Sequence, residues 1–126
     1  MKRLTDERMA VKELFAELVR APSHSFPRQG ESLQAPRRRG VYIICNARGQ
    51  VVHVGRTPKA KGGIAQRLRD HMAAASSFTL QYLKGDGSKL RGNYTFRCIV
   101  VGSPRRRALL EAYATGRLCP AHMGLG

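Results

Sequence analysis

Five side chains in this 126-residue chain are of the types, and in the order, to do chemistry together. Tyr42 closes the tripeptide Gly40-Val41-Tyr42, and His53 opens the run His53-Val54-Gly55-Arg56-Thr57. Arg67 and His71 follow, and Glu111 stands much further on. They supply a phenol, two imidazoles, a guanidinium and a carboxylate. Hydrolysis of a phosphodiester with one metal ion calls for those groups. It needs a proton acceptor for water, a planar cation for the phosphate oxygens and a hard oxygen ligand.

The composition agrees on the partner and is silent on the reaction. Lys plus Arg number 23 against 8 Asp plus Glu, a net charge of +15. Such a chain attracts a polyanion, usually nucleic acid. An anionic membrane surface would attract it too, and a basic ribonucleoprotein component would have the same balance. The hydrophobic share of 42% suffices for the modest core of one small domain. With no Trp and 6% aromatic residues, Val, Ile, Leu and Ala must fill most of that core. Cys45, Cys98 and Cys119 lack zinc spacing, and an odd count argues against a disulfide framework. Cys45 and Cys98 read as buried, reduced thiols. The charged N-terminus does not read as a secretory signal, and no apolar run nears the ~20 residues that span a bilayer. The expectation is a cytoplasmic protein without a membrane partner.

The elements that must position these groups follow from hydrophobic spacing. Val11, Leu14, Phe15, Leu18 and Val19 predict an amphipathic helix over 5–20, with Thr5 as its cap and Asp6 and Glu7 complementing its dipole. Its apolar stripe must be covered by the rest of the chain or by a partner. Residues 21–39, rich in Pro and Ser, read as a loop or extended arm ending in Arg37-Arg38-Arg39. Strands are predicted at 41–45 and 51–54 around the turn Asn46 to Gly49. A basic loop with Lys59 and Lys61 leads to a helix over 64–75 striped by Ile64, Leu68 and Met72. Residues 76–93 give no clear pattern. A third strand is predicted at 95–101, and Ser103-Pro104 starts a last helix. The order predicts an α+β domain, a small three-stranded antiparallel sheet flanked by helices. The division expected is 1–36 for the helix and arm and 37–126 for the domain carrying the motifs.

The two short motifs, the hairpin between them, Arg67 in Ile64-Ala65-Gln66-Arg67 and Glu111 in a late helix together resemble the GIY-YIG endonuclease superfamily. The resemblance covers about residues 37–122. It departs at His53, where the second motif has a tyrosine, and after Pro120, where Ala121-His122-Met123 replaces a commonly found asparagine. It implies the same small sheet flanked by helices. It implies that Tyr42 acts on the attacking water, as base or orienting group, although a free phenol has a pKa near ~10. His53 would be catalytic or water-orienting, since an imidazole accepts a proton near neutrality. Arg67 would hold the scissile phosphate. Glu111 would be the sole protein ligand of one Mg²⁺ or Mn²⁺ ion, which keeps several waters and takes its other ligands from substrate phosphate. His71, one helical turn from Arg67 and like it at the edge of the apolar stripe, would assist proton transfer or contact phosphate.

Arg37, Arg38, Arg39, Gly55, Arg56, Thr57, Lys59 and Lys61 are the expected nucleic-acid contacts, with Gly55 allowing close backbone approach. The expected function is metal-dependent endonuclease cleavage of DNA, with DNA favoured over RNA by analogy only. The alternative is a catalytically inactive nucleic-acid-binding module of the same fold. The first helix is a candidate surface for a homodimer or a protein partner.

Overall fold

The computed structural model describes residues 4–58 and 61–124. Helix α1 (Leu4–Arg20) is followed by a two-residue strand β1 (His24–Ser25), then β2 (Gly40–Cys45) and β3 (Val51–Arg56). Helix α2 (Gly63–Met72), the short helix α3 (Ser77–Gln81) and a 3₁₀ turn (Gly87–Leu90) come next. Strand β4 (Thr95–Val100) and helix α4 (Pro104–Leu118) complete the fold. The sheet is antiparallel in the order β1-β4-β2-β3. The predicted three-stranded sheet is therefore present, with a fourth short strand added at the β4 edge by the arm.

Strand β2 is buried along its whole length, as its unbroken apolar sequence requires. Tyr42 and Ile44 face a core with Phe26, Ile64, Leu68, Phe78 and Phe96. Val41, Ile43 and Cys45 face a second core with Leu18, Val54, Val101, Leu110 and Ala114. Helices α2 and α3 thus cover one side of the sheet and α1 and α4 the other. The hairpin turn forms as expected, with Asn46 Oδ1 accepting from the backbone N–H groups of Arg48 and Gln50, each at 3.0 Å.

Several boundaries differ from expectation. Helix α1 begins at Leu4, so Thr5 lies inside it and is not its cap. Strand β3 runs on through Gly55 to Arg56, because both still pair with β2. Helix α2 starts at Gly63, whose φ of +62° brings its backbone so near Arg38 that a Cβ would lie 2.4 Å from the Arg38 carbonyl oxygen. It stops short of residue 75, since Ala74 turns into the left-handed region at φ +61°. The region without a clear pattern holds α3 and the 3₁₀ turn, each too short to show a period of its own.

The arm is built into the fold. Phe26 is buried against Phe96, ring centroids 5.2 Å apart, and its N–H donates to the Tyr94 carbonyl at 2.9 Å. The first N–H groups of α2 are met by the arm as well, Ile64 by the Arg38 carbonyl at 2.9 Å and Ala65 by that of Pro36 at 2.8 Å. Most of the apolar stripe of α1 is covered from within the chain, while Val19 stays exposed. Leu18 is buried and Phe15 packs edge-to-face on Tyr113 of α4 at 5.2 Å. Among the described residues, no helix is long and apolar enough to cross a membrane.

Truncating Phe26 to Ala is expected to destabilise the protein by roughly 3–5 kcal/mol, read as a shift in the urea midpoint at unchanged slope. A loss below about 1 kcal/mol would show that the arm is a separate appendage.

Candidate active site

A cleft of about 300 Å³ lies along β3, the edge strand of the sheet. Tyr42, His53, Gly55, Arg56, Arg67, Glu111 and His122 are among its lining residues. Because β3 is an edge, side chains from both faces of the sheet can meet there. Tyr42, His53 and Arg67 come from the α2 side, and Glu111 comes from α4. The chain's last described segment runs beside the start of this edge, with Ala121 N–H donating to the Val51 carbonyl at 3.2 Å and His122 N–H to that of Val52 at 2.9 Å.

Tyr42 is buried, and its hydroxyl lies 2.7 Å from His71 Nε2. Its cross-strand neighbour is Gly55, where a Cβ would fall 2.4 Å from the phenol oxygen. Gly55 therefore makes room for Tyr42, and its backbone also lines the cleft. His71 is fully buried behind the phenol and does not line the cleft. Of its two expected roles, phosphate contact is excluded by position, and the edge placement read from the helical wheel is replaced by complete burial.

Hydrogen bonds behind His71 set its protonation. Thr79 Oγ1 donates to the His71 carbonyl, and Ser76 Oγ donates to Thr79 Oγ1 at 3.1 Å. With its proton so used, Ser76 Oγ meets His71 Nδ1, 2.6 Å away, as an acceptor. His71 thus carries its proton on Nδ1, and Tyr42 donates to the lone pair on Nε2. Burial holds both groups neutral. It pushes the Tyr42 phenol far above its usual range, against the opposing pull of the Arg67 guanidinium. It pushes the His71 imidazole far down, helped by His53 and Arg67. The net charge of the chain does not produce a phenolate here, because desolvation outweighs the nearby cations.

His53 is half-buried, stacked on Phe78 with centroids 4.7 Å apart, and its Nδ1 lies 3.2 Å from His122 Nδ1. Burial, then the neighbouring His122 and Arg67, lower its pKa from 6.5 to about 3. The charged groups sit further out. Arg56 Nε donates to Glu111 Oε1 at 3.0 Å, both side chains partly exposed. Arg67 lies 3.7 Å from Asp70.

The remaining expected contacts divide. Arg37, Arg38, Arg39 and Lys61 are exposed, and Arg37 lines a different hollow with Arg69 and Arg91. Lys59 lies outside the described residues. Thr57 is buried, its Oγ1 accepting from Gly40 N–H at 3.1 Å, so it ties the two strands together and reaches no phosphate. Sequence reasoning missed Ser76, Thr79, Gln81 and the part played by His122. The last was detectable as an imidazole standing where the resembled pattern commonly has an asparagine. The other three lie in a stretch whose local pattern is silent.

The buried histidines make stability depend on pH. For His53, whose folded pKa lies near 3 against 6.5 unfolded, the contribution is complete above pH 6.5 and is lost as pH falls towards 3. His71 and His122 are shifted in the same direction. The expected outcome is a falling unfolding free energy between pH 6.5 and 5, with a slope of up to about 1.4 kcal/mol per pH unit for each histidine. Urea titrations at several pH values check it, and a flat profile above pH 5 would contradict the neutral cluster.

No protein-family model matches the chain, and a search of curated proteins finds no match. Solved structures do match. One is a point mutant of the GIY-YIG N-terminal endonuclease domain of UvrC from Thermotoga maritima, bound to its catalytic divalent cation. It is 24% identical over 71% of this chain and 86% of the other, with a TM-score of 0.52. A second point mutant of that domain, also cation-bound, is 22% identical over 74% and 90% of the two chains, with a TM-score of 0.53. In strand order, hairpin and flanking helices this chain has the GIY-YIG fold.

Proposed function

We propose that this chain is a metal-dependent nuclease that hydrolyses phosphodiester bonds, with DNA favoured over RNA as its substrate. The observation that carries this reading is the meeting of Tyr42, His53, Arg67 and Glu111, far apart in sequence, in one cleft. A net charge of +15 suits a polyanionic substrate.

Tyr42 has its proton committed to His71, so its oxygen meets an incoming water as an acceptor and orients it. His53 lines the same cleft as a neutral imidazole. The Arg67 guanidinium is suited to the non-bridging phosphate oxygens and to the charge that develops on them. Attack of the water on phosphorus expels the 3′ oxygen and leaves a 5′ phosphate. Among the described residues, no group of three or more His, Cys, Asp or Glu side chains could cage a metal. Among the described residues, the cleft lining offers one carboxylate, Glu111, which suits a hard ion that takes its other ligands from water and substrate oxygens, as Mg²⁺ or Mn²⁺ does. Bound there, such an ion would supply a Lewis acid to the phosphoryl group and neutralise charge on the departing oxygen. Arg56, now paired with Glu111, would be displaced towards phosphate.

Single-stranded, duplex and branched DNA, and RNA, incubated with the purified chain with and without Mn²⁺, test this reading. Glu111→Ala is expected to lower cleavage by at least roughly a hundredfold, the several kcal/mol a catalytic cation supplies, while binding by fluorescence anisotropy stays within about threefold. Absence of metal-dependent cleavage in the unaltered chain, with binding intact, would replace this reading by that of a binding module.

A further inference from the structure

Two hydrogen-bond chains run from α3 and its cap towards the cleft. The first, through Ser76 and His71, ends on Tyr42. The second runs through Gln81 and His122 and ends on His53, and it sets the state of that imidazole.

A carboxamide oxygen can only accept. Gln81 Oε1 lies 2.9 Å from His122 Nε2, so His122 carries its proton there. A neutral imidazole has one N–H, which leaves His122 Nδ1 as an acceptor. That atom faces His53 Nδ1 at 3.2 Å. Two acceptors cannot bond, so the proton between them belongs to His53 Nδ1. The ring atom left to His53 is Nε2, which then holds a lone pair, and His53 lines the cleft with Tyr42, Arg67 and Glu111. The arrangement is pinned from three sides. His122 is held by its own N–H on the Val52 carbonyl, by Gln81 and by burial. His53 is held by its strand and by the stacked ring of Phe78.

We propose that His122, backed by Gln81, is a positioning residue that holds His53 as its Nδ1–H tautomer and so presents Nε2 as the proton acceptor for the attacking water. The tautomer stands on the hydrogen bonds alone, while its use rests on the nuclease reading above. In the step, one O–H bond of the water breaks and its proton passes to His53 Nε2. The electron pair left on that oxygen forms the new P–O bond. The bond to the 3′ oxygen breaks, and the leaving oxygen takes a proton from solvent. The imidazolium keeps its Nδ1–H on His122, which holds the ring in place through the step.

Long-range ¹H–¹⁵N NMR on the ¹⁵N-labelled, unaltered chain near pH 7 reads the tautomers without substrate. The expected result is His53 protonated on Nδ1 and His122 on Nε2. A His53 protonated on Nε2 overturns the proposal, whatever the activity. His122→Leu is expected to release the His53 tautomer and to lower kcat on the order of tenfold to a hundredfold with little change in KM. His122→Asn can accept from His53 and donate to Gln81, and is expected to restore both. Should kcat fall equally in the Leu and Asn variants while the His53 tautomer stays unchanged in each, His122 is merely structural and the proposal fails. Lack of cleavage by the unaltered chain, with the expected tautomers in place, would sink the nuclease reading and with it the catalytic use of His53, and leave the tautomer assignment standing.

Discussion

The hydrogen bond between the Tyr42 hydroxyl and His71 Nε2 joins the buried central strand to the helix packed on it. It lies out of water, where an unpaired phenol or imidazole would cost about 1–3 kcal/mol. Each group satisfies the other, and His71 is bonded in turn to Ser76. That chain of dependence fixes β2, α2 and the start of α3 relative to one another. It also explains Gly55. The phenol lies across the neighbouring strand, and only a residue without a side chain leaves it room.

Around this bond the site is layered by charge. Its inner layer is neutral. Tyr42, His71, His53 and His122 are packed with Phe78, and burial favours the uncharged form of each. The ionised groups occupy the rim, with Arg56 on Glu111 and Arg67 beside Asp70, all partly open to water. Placing charge at the rim avoids the large penalty of burying it. Rim ion pairs are also weak, so each can exchange one partner for another at small cost. The neutral layer thereby holds geometry while the charged layer remains available.

The N-terminal third belongs to this scaffold. Phe26 fills the core on the side of Tyr42 and His53, β1 pairs with β4, and the backbone of Pro36 and Arg38 meets the start of α2. The helix that carries Arg67 and His71 is therefore seated by the arm. Helix α1 meanwhile packs on α4, which carries Glu111. Both halves of the cleft thus have support from residues that do not line it.

Local pattern carried much of this. Apolar runs in 41–45, 51–54 and 95–101, the Asn46 turn and the helical stripes of α1, α2 and α4 were legible because each depends on neighbours a few residues away. The residue types and order of Tyr42, His53, Arg67 and Glu111 pointed to the candidate site through the short motifs around them, with no contact between them to read. The tertiary structure alone decided that Glu111, an ordinary helix glutamate by pattern, rounds the edge of β3 to meet the other three. It alone turned His71 inward, closed Thr57 off from solvent, and brought Gln81 and His122 to bear on His53. These outcomes depend on which strand lies at the sheet edge and on hydrogen bonds between residues up to 69 positions apart. No periodicity along the chain encodes contacts of that range.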